Sequence, residues 1–231
     1  MLTDPTFDVA GDYPIGNRVL RKTSDAVVTP AEVGDVDAVL LSHDQHPDNL
    51  DHGGRAYVAR AACCLSTPDA ARRLAGTVRG LTPWDSVDLG TVTVTAVPAQ
   101  HGPDGCEAVT GQVTGFVLDG PDVPRVYISG DNASLDVVHA IVDRLSRRFD
   151  VAVLFAGAAR TALFDGALLT LSSAQAAQAA RILGVAHVVP LHFEGWAHFS
   201  QGRDTLQAAF AHAGLAQRLH LLDVATTWRL P

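Results

Sequence analysis

The chain has 231 residues, 47% of them hydrophobic and 18% charged, which suffices to bury a full core, and residues 1–231 are expected to form a single domain. The 17 Lys plus Arg against 25 Asp plus Glu leave a formal charge of −8, which argues against a nucleic-acid partner and for a small-molecule substrate. No run approaches the roughly 20 apolar residues of a membrane span, residues 1–8 carry no basic-then-apolar leader, and Cys63, Cys64 and Cys106 form no CxxC pair, so a cytoplasmic protein with reduced thiols is expected.

In chain order, Leu2-Thr3-Asp4-Pro5 resembles the end of a strand entering a turn, with nothing before it to pair. Apolar, Val-rich runs bounded by turn residues then predict buried strands over 36–41, 92–97, 115–118, 125–128, 151–155 and 186–190. The Asp119-Gly120-Pro121-Asp122 cluster between the third and fourth is a turn signal, so those two should form a hairpin. Helical periodicity covers 135–149, 172–183 and 205–213. The second of these opens with a capping-box pattern, Ser172-Ser173-Ala174-Gln175. Gly184 and Gly214 follow two of the helices where a left-handed C-cap is needed. The pattern mixes α and β without a clean βαβ repeat, and no internal repeat, low-complexity segment or linker interrupts it.

Polar clusters sit at the C-terminal ends of four predicted strands, and the 10 histidines supply much of their chemistry. The first runs from Ser42 to His52, with His43, His46 and His52 among Asp44, Asp48 and Asp51; a loop lets such neighbours converge on a cation, and a solvated loop opening a helix is the plainer alternative. In the second, His101 lies between Pro98 and Gly102, where a hydrogen-bonded histidine would also fit. The third is Ser129-Gly130-Asp131, whose carboxylate could equally be a helix N-cap. The fourth holds His192, Glu194 and His198 around Trp196, where packing alone could place a histidine. Taken together, ligand-type residues at four strand ends are what a metal site on a sheet rim requires.

This order of motifs resembles the metallo-β-lactamase superfamily, and within it the branch of ascorbate phosphate lactonases and N-acyl-phosphatidylethanolamine phospholipase D. The resemblance runs from Thr3-Asp4-Pro5 through Ser42-His43 and Pro98-Ala99-Gln100-His101 to Trp196-Ala197-His198-Phe199. It implies an α/β four-layer αββα sandwich, two mixed sheets face to face with helices outside and metals at one rim. An N-terminal hairpin normal to such proteins is expected upstream of Leu2; without it a sheet edge is unpaired, an association hazard that keeps a homo-oligomer among the expectations.

The family's H-x-H-x-D-H motif carries over imperfectly. His43 matches its first position; His46 and Asp48 match the next two if one residue is inserted, and Asn49 then replaces the last histidine. With strict spacing Gln45 replaces the second histidine instead, and His52 is a further candidate. By the same resemblance His101 completes the first ion's ligands, Asp131 bridges and His192 closes the second, giving a metal set of His43, His46, Asp48, His101, Asp131 and His192. One or two divalent transition ions are implied, zinc first, with manganese or iron as alternatives. The implied activity is hydrolysis of a lactone, ester or phosphoester by a metal-bound hydroxide, with Asp48 and Asp131 catalytic and His198, or Glu194 beside it, contacting substrate or supporting the ligands. An amide hydrolase is a rival, and the loss of one imidazole keeps open a metal-poor member acting as a binding or assembly protein.

Overall fold

The computed structural model describes residues 1–162 and 164–231. In the N-terminal half, β1 (Leu2–Thr3), β4 (Val39–Leu40), β5 (Cys64–Ser66) and β6 (Val78–Gly80) form one sheet in that order, every neighbouring pair parallel. The helices α2 (His52–Val58) and α3 (Pro68–Leu74) make the crossovers, so two βαβ units do occur here, contrary to the absence of a repeat and the mixed sheet expected above. These strands have only two or three residues, too few for a hydrophobic period to register, and the predicted strand 36–41 shrinks to Val39–Leu40.

The second sheet has six strands, ordered β12 (His187–Leu191), β11 (Val151–Phe155), β10 (Val123–Ile128), β9 (Thr114–Gly120), β8 (Thr93–Pro98) and β7 (Ser86–Asp88). It is mixed, with β10, β11 and β12 parallel and the rest antiparallel; β9 and β10 form the predicted hairpin. Leu40, Leu65, Val94, Phe116 and Phe155 pack between the two sheets. Outside the six-stranded sheet lie α5 (Leu135–Leu145), α6 (Ser173–Leu183) and α7 (Arg203–His212), closing a core around Tyr127, Ile141 and Phe210. Outside the four-stranded sheet, Tyr57 and Val58 of α2 bury against Val39 and Leu41. Four layers, helix–sheet–sheet–helix, result. Among the described residues no helix is long and apolar enough to cross a membrane.

Local chemistry explains the element ends. Ser172 accepts from the Gln175 amide while Gln175 reaches back to the Ser172 amide, and Gly184 closes α6 in the left-handed region. Helix α5 stops at Leu145, short of the predicted Phe149, because Ser146 takes a left-handed C-cap. Its N-cap is Ser134, not Asp131. Helix α7 starts two residues before the predicted Thr205, and its C-cap is Ala213 with Gly214 left-handed beyond it. Two further short helices, α1 (Pro30–Val33) and α4 (Glu107–Thr110), lie outside the predicted set.

A two-stranded hairpin, β2 (Gly11–Ile15) and β3 (Arg18–Lys22), also lies outside the predicted set, as do α3 and the short strands β5, β6 and β7. The hairpin docks on the loop after β12 through Thr23 N–H to the Gly195 carbonyl and Ala197 N–H to the Arg21 carbonyl. The buried Lys22 ammonium lies 3.2 Å from the Asp51 carboxylate, which also caps α2. Hairpin, helix and loop thereby meet around one charge pair.

Candidate metal centre

Each strand end is tied before its polar cluster begins. After β4, Asp4 accepts the Ser42 amide (2.7 Å) and the Ser42 carbonyl accepts the Thr114 amide (3.1 Å), which joins the two sheets at the rim. The loop then carries His43, His46, Asp48 and Asn49 inward before Asp51 opens α2. After β8, the Gln100 amide donates to Asn132 and His101 follows. After β10, Gly130 turns at φ +55, where a Cβ would stand 2.6 Å from the Thr114 carbonyl oxygen, so no side chain fits and Asp131 is set directly on the rim. After β12, His192 itself takes φ +55, a strained conformation for a residue with a side chain. Gly157 leaves room for it, since a Cβ there would meet the His192 carbonyl oxygen at 2.4 Å.

Two groups of donors result, sharing one carboxylate. In the first, His43 Nε2 lies 2.8 Å from His46 Nδ1, and His101 Nε2 lies 3.2 Å from the same atom. Nitrogens around a tetrahedral zinc-like ion at 2.0–2.1 Å stand about 3.3 Å apart, so these three are nearly at ligand spacing. His101 Nδ1–H donates to the Leu169 carbonyl (2.8 Å), and His43 Nδ1 meets Ser42 Oγ (3.0 Å), which leaves the inner nitrogens as lone-pair donors. In the second group, His192 Nε2 is 3.3 Å from both Asp48 Oδ2 and Asp131 Oδ1. Asp131 Oδ2 lies toward the first group, 3.9 Å from His43 Nε2 and 3.5 Å from the outer nitrogen of His101, Nδ1. All ligand atoms within each group lie within 4.8 Å of one another.

The buried polar atoms test whether cations fit. Among the described residues, Asp48 Oδ1, Asn49 Oδ1, Asp131 Oδ2, His192 Nε2 and His198 Nδ1 lack a hydrogen-bond partner and cluster at this rim, while the other such atoms lie on Ser66, Arg125 and Tyr127. Such orphaned atoms are costly inside a protein. A pair of divalent ions would engage the ligand-type atoms among them, so the residues fit the group.

Electrostatics separates the two halves. Burial, with neighbouring His46 and His101, holds His43 well below the usual imidazole range. Burial and His101 bring His46 down to about 4. These neutral imidazoles keep the lone pairs a metal needs. At His192 burial opposes charge, but Asp131 and Asp48 outweigh it and push the imidazole up to about 9. Burial likewise opposes the charge on Asp48, yet the His192 and His198 imidazoles beside it hold it well below the usual carboxylate range. The second group therefore favours positive charge, which a bound cation would supply with His192 as a neutral donor.

Of the residues singled out from sequence, His43, His46, His101 and Asp131 come together in one group and Asp48, Asp131 and His192 in the other. His198 joins the rim by donating Nε2–H to Asp48 (3.0 Å). His46 rather than Gln45 supplies the second imidazole: the Gln45 side chain lies against Gly111, away from the centre. His52 is exposed and paired with Asp8, which removes it as a compensating ligand. Glu194 pairs with Arg203 on the surface and does not line the cavity. Asn49 is fully buried at the second group, its Nδ2 3.3 Å from Asp131 and 3.4 Å from Ser42 Oγ and from Asp4. Sequence reasoning missed Asp4, whose carboxyl burial pushes up to about 7, and the whole β2–β3 hairpin, though Gly16-Asn17 is a usable two-residue turn signal.

A four-layer sandwich with this double His/Asp centre on one rim defines a metallo-β-lactamase-fold protein. The family described as the beta-lactamase superfamily domain matches residues 1–193, and the chain belongs to it. A metal-dependent hydrolase of Methanosphaerula palustris is 28% identical over 183 residues, 76% of this chain and 76% of that protein. Among solved structures, an isothiocyanate hydrolase from Delia radicum gut bacteria superposes with a TM-score of 0.82 at 20% identity, covering 99% of this chain and 91% of that one. A possible metal-dependent hydrolase from Veillonella parvula gives 0.79 at 16% identity, covering 100% and 89%. At these identities the two structures establish the shared fold.

Proposed function

We propose that the chain is a metal-dependent hydrolase that cleaves a lactone, ester or phosphoester of a small molecule. One observation carries the reading: the two donor groups sharing Asp131 lie at the base of a cavity lined by His46, Asp48, His101 and His198, so the same side chains that would hold the ions also face a substrate. His43, His46 and His101 would hold one ion, Asp48 and His192 the other, and Asp131 would span both. A bound divalent ion supplies a nucleophile from water near neutral pH and polarises the oxygen under attack. Asp48 is held in its ionised form by His192 and His198, and His198 keeps its Nε2 proton on Asp48 while lining the cavity. Within the metal choice, zinc suits three converging imidazoles best, with manganese and iron as the outcomes to distinguish.

Protein purified without chelator should contain between one and two equivalents of transition metal by elemental analysis. Hydrolysis of at least one member of a panel of lactones, carboxylic esters, phosphodiesters and isothiocyanates should disappear with chelation and return with metal. A metal-free protein that takes up no ion and hydrolyses nothing in the panel would overturn this reading in favour of the metal-poor alternative.

A further inference from the structure

The cavity above the ligands has a feature that a neutral ester does not use. Arg18, the first residue of β3, is half-buried in its wall, and close enough to His46 to disfavour a second positive charge there. Among the described residues it has no hydrogen-bond or ion-pair partner. Several other arginines are paired, Arg21 with Asp12, Arg55 and Arg73 with Asp44, Arg160 with the Gly166 carbonyl and Arg203 with Glu194, while Arg79, Arg148 and Arg229, unpaired among the described residues, are exposed on the surface outside the cavity wall. Around Arg18 the wall is mostly apolar, with Ile15, Leu20, Val109, Ala159 and Leu169 beside Thr110 and Thr161, and the space of the cavity, open solvent at its mouth included, is about 430 Å³.

We propose that Arg18 binds an anionic oxygen group on the substrate, a carboxylate or a phosphate, and so selects small anions whose apolar body spans the cavity between Arg18 and the metal centre. The substrate class follows from this arrangement and rests on the hydrolase reading above. A guanidinium presents a planar fork of donors that matches two oxygens of either group, and apolar surroundings strengthen the pair. The charge distribution calls for such a group. The net charge of −8 disfavours an approaching anion at long range, and among the described residues lining the cavity Arg18 is the side-chain cation without a partner. Its place on the hairpin fixes it: β3 is pinned by the Lys22–Asp51 pair and by the Arg21 carbonyl on Ala197, next to His198.

Two measurements on the metal-loaded protein test this, with Arg18→Gln and Arg18→Lys checked first for unchanged metal content and thermal midpoint. In calorimetry with butyrate, butyl phosphate and butyramide, Arg18→Gln should weaken the anions relative to the amide by about 10–100-fold, the size of a lost charge-assisted hydrogen bond. Arg18→Lys should keep part of the preference, and the anion with the greater loss identifies carboxylate or phosphate as the group recognised. In kinetics with ester pairs that differ only in a free carboxylate or phosphate against its methyl ester, the ratio of kcat/KM for charged over neutral should fall by a similar factor, carried by KM. Equal effects on charged and neutral members, or none, would overturn the assignment of Arg18. Hydrolysis of none of the pairs would count against the hydrolase reading instead, while the calorimetry would still decide the role of Arg18.

Discussion

Asn49 stands where the family's motif ends in histidine, and replacing it by histidine should even out the two metal sites. The amide is fully buried and its Nδ2 donates toward Asp131, while Oδ1 has no partner. A neutral amide oxygen is a weaker ligand for zinc-like ions than an imidazole, so the second group keeps two carboxylates and His192 as its strong donors. Loss of supporting ligands elsewhere lowers metal affinity by about 10–100-fold, equivalent to about 1.4–2.7 kcal/mol. The first site, with three imidazoles and a share of Asp131, should be the tighter by at least that factor. Competition against a chromophoric chelator, with bound metal counted at each free concentration, resolves the two affinities. The unmodified protein should fill one site first; Asn49→His should raise the second affinity 10–100-fold and leave the first unchanged. Two equally tight sites before mutation would refute the ligand assignment, as would an Asn49→His protein whose second site is weaker.

Several further outcomes are expected. His101→Ala and His192→Ala should each release metal, and unchanged metal content in both would falsify the site assignment; elemental analysis after gel filtration reads this. Lys22→Met should destabilise the fold by about 3–5 kcal/mol in chemical denaturation, because it leaves the Asp51 carboxylate buried without its cation, and Lys22→Met with Asp51→Asn should recover part of that loss. Ser172→Ala removes the cap of α6 and should lower stability by about 1 kcal/mol with metal content unaltered; a loss well outside 0.5–2 kcal/mol would contradict the cap's role.

The six-stranded sheet was largely legible in the sequence, since β8 to β12 are five to seven residues long and bounded by turn residues, as was the capped helix α6. The four-stranded sheet was not, because pairs such as Val39-Leu40 carry no period of their own and are held by α2 and α3 packing across them. At the centre, residue types and their order pointed to the residues that the structure brings into two donor groups. Choosing His46 over Gln45 required knowing which side chain the one-residue insertion turns inward, and that depends on contact with Gly111, far along the chain. Arg18 was invisible for a related reason: its significance lies in the missing partner, and a sequence does not display an unpaired charge. Asp4 gave no signal beyond a turn, since its burial comes from the Ser42 amide and Asn49 brought to it by β4.

The two sheets contribute jointly to the centre, three residues each: His43, His46 and Asp48 follow one strand of the four-stranded sheet, while His101, Asp131 and His192 follow three strands of the six-stranded one. Metal held between them acts as a rivet across the seam, because ligand spacings survive only while the sheets keep their mutual register. Binding energy accrues to the docked state alone, so at a hundredfold excess over Kd a bound ion adds about 2.7 kcal/mol against any opening in which the halves separate. Fraying within one half gains nothing from it. Hydrogen exchange should therefore slow on metal binding at the Thr114 amide, which donates to the Ser42 carbonyl across the seam, and stay unaltered at the outer ends of helices. A cofactor placed on such a boundary makes two structural halves unfold as one cooperative unit, and couples the integrity of the fold to the same event that would arm the centre.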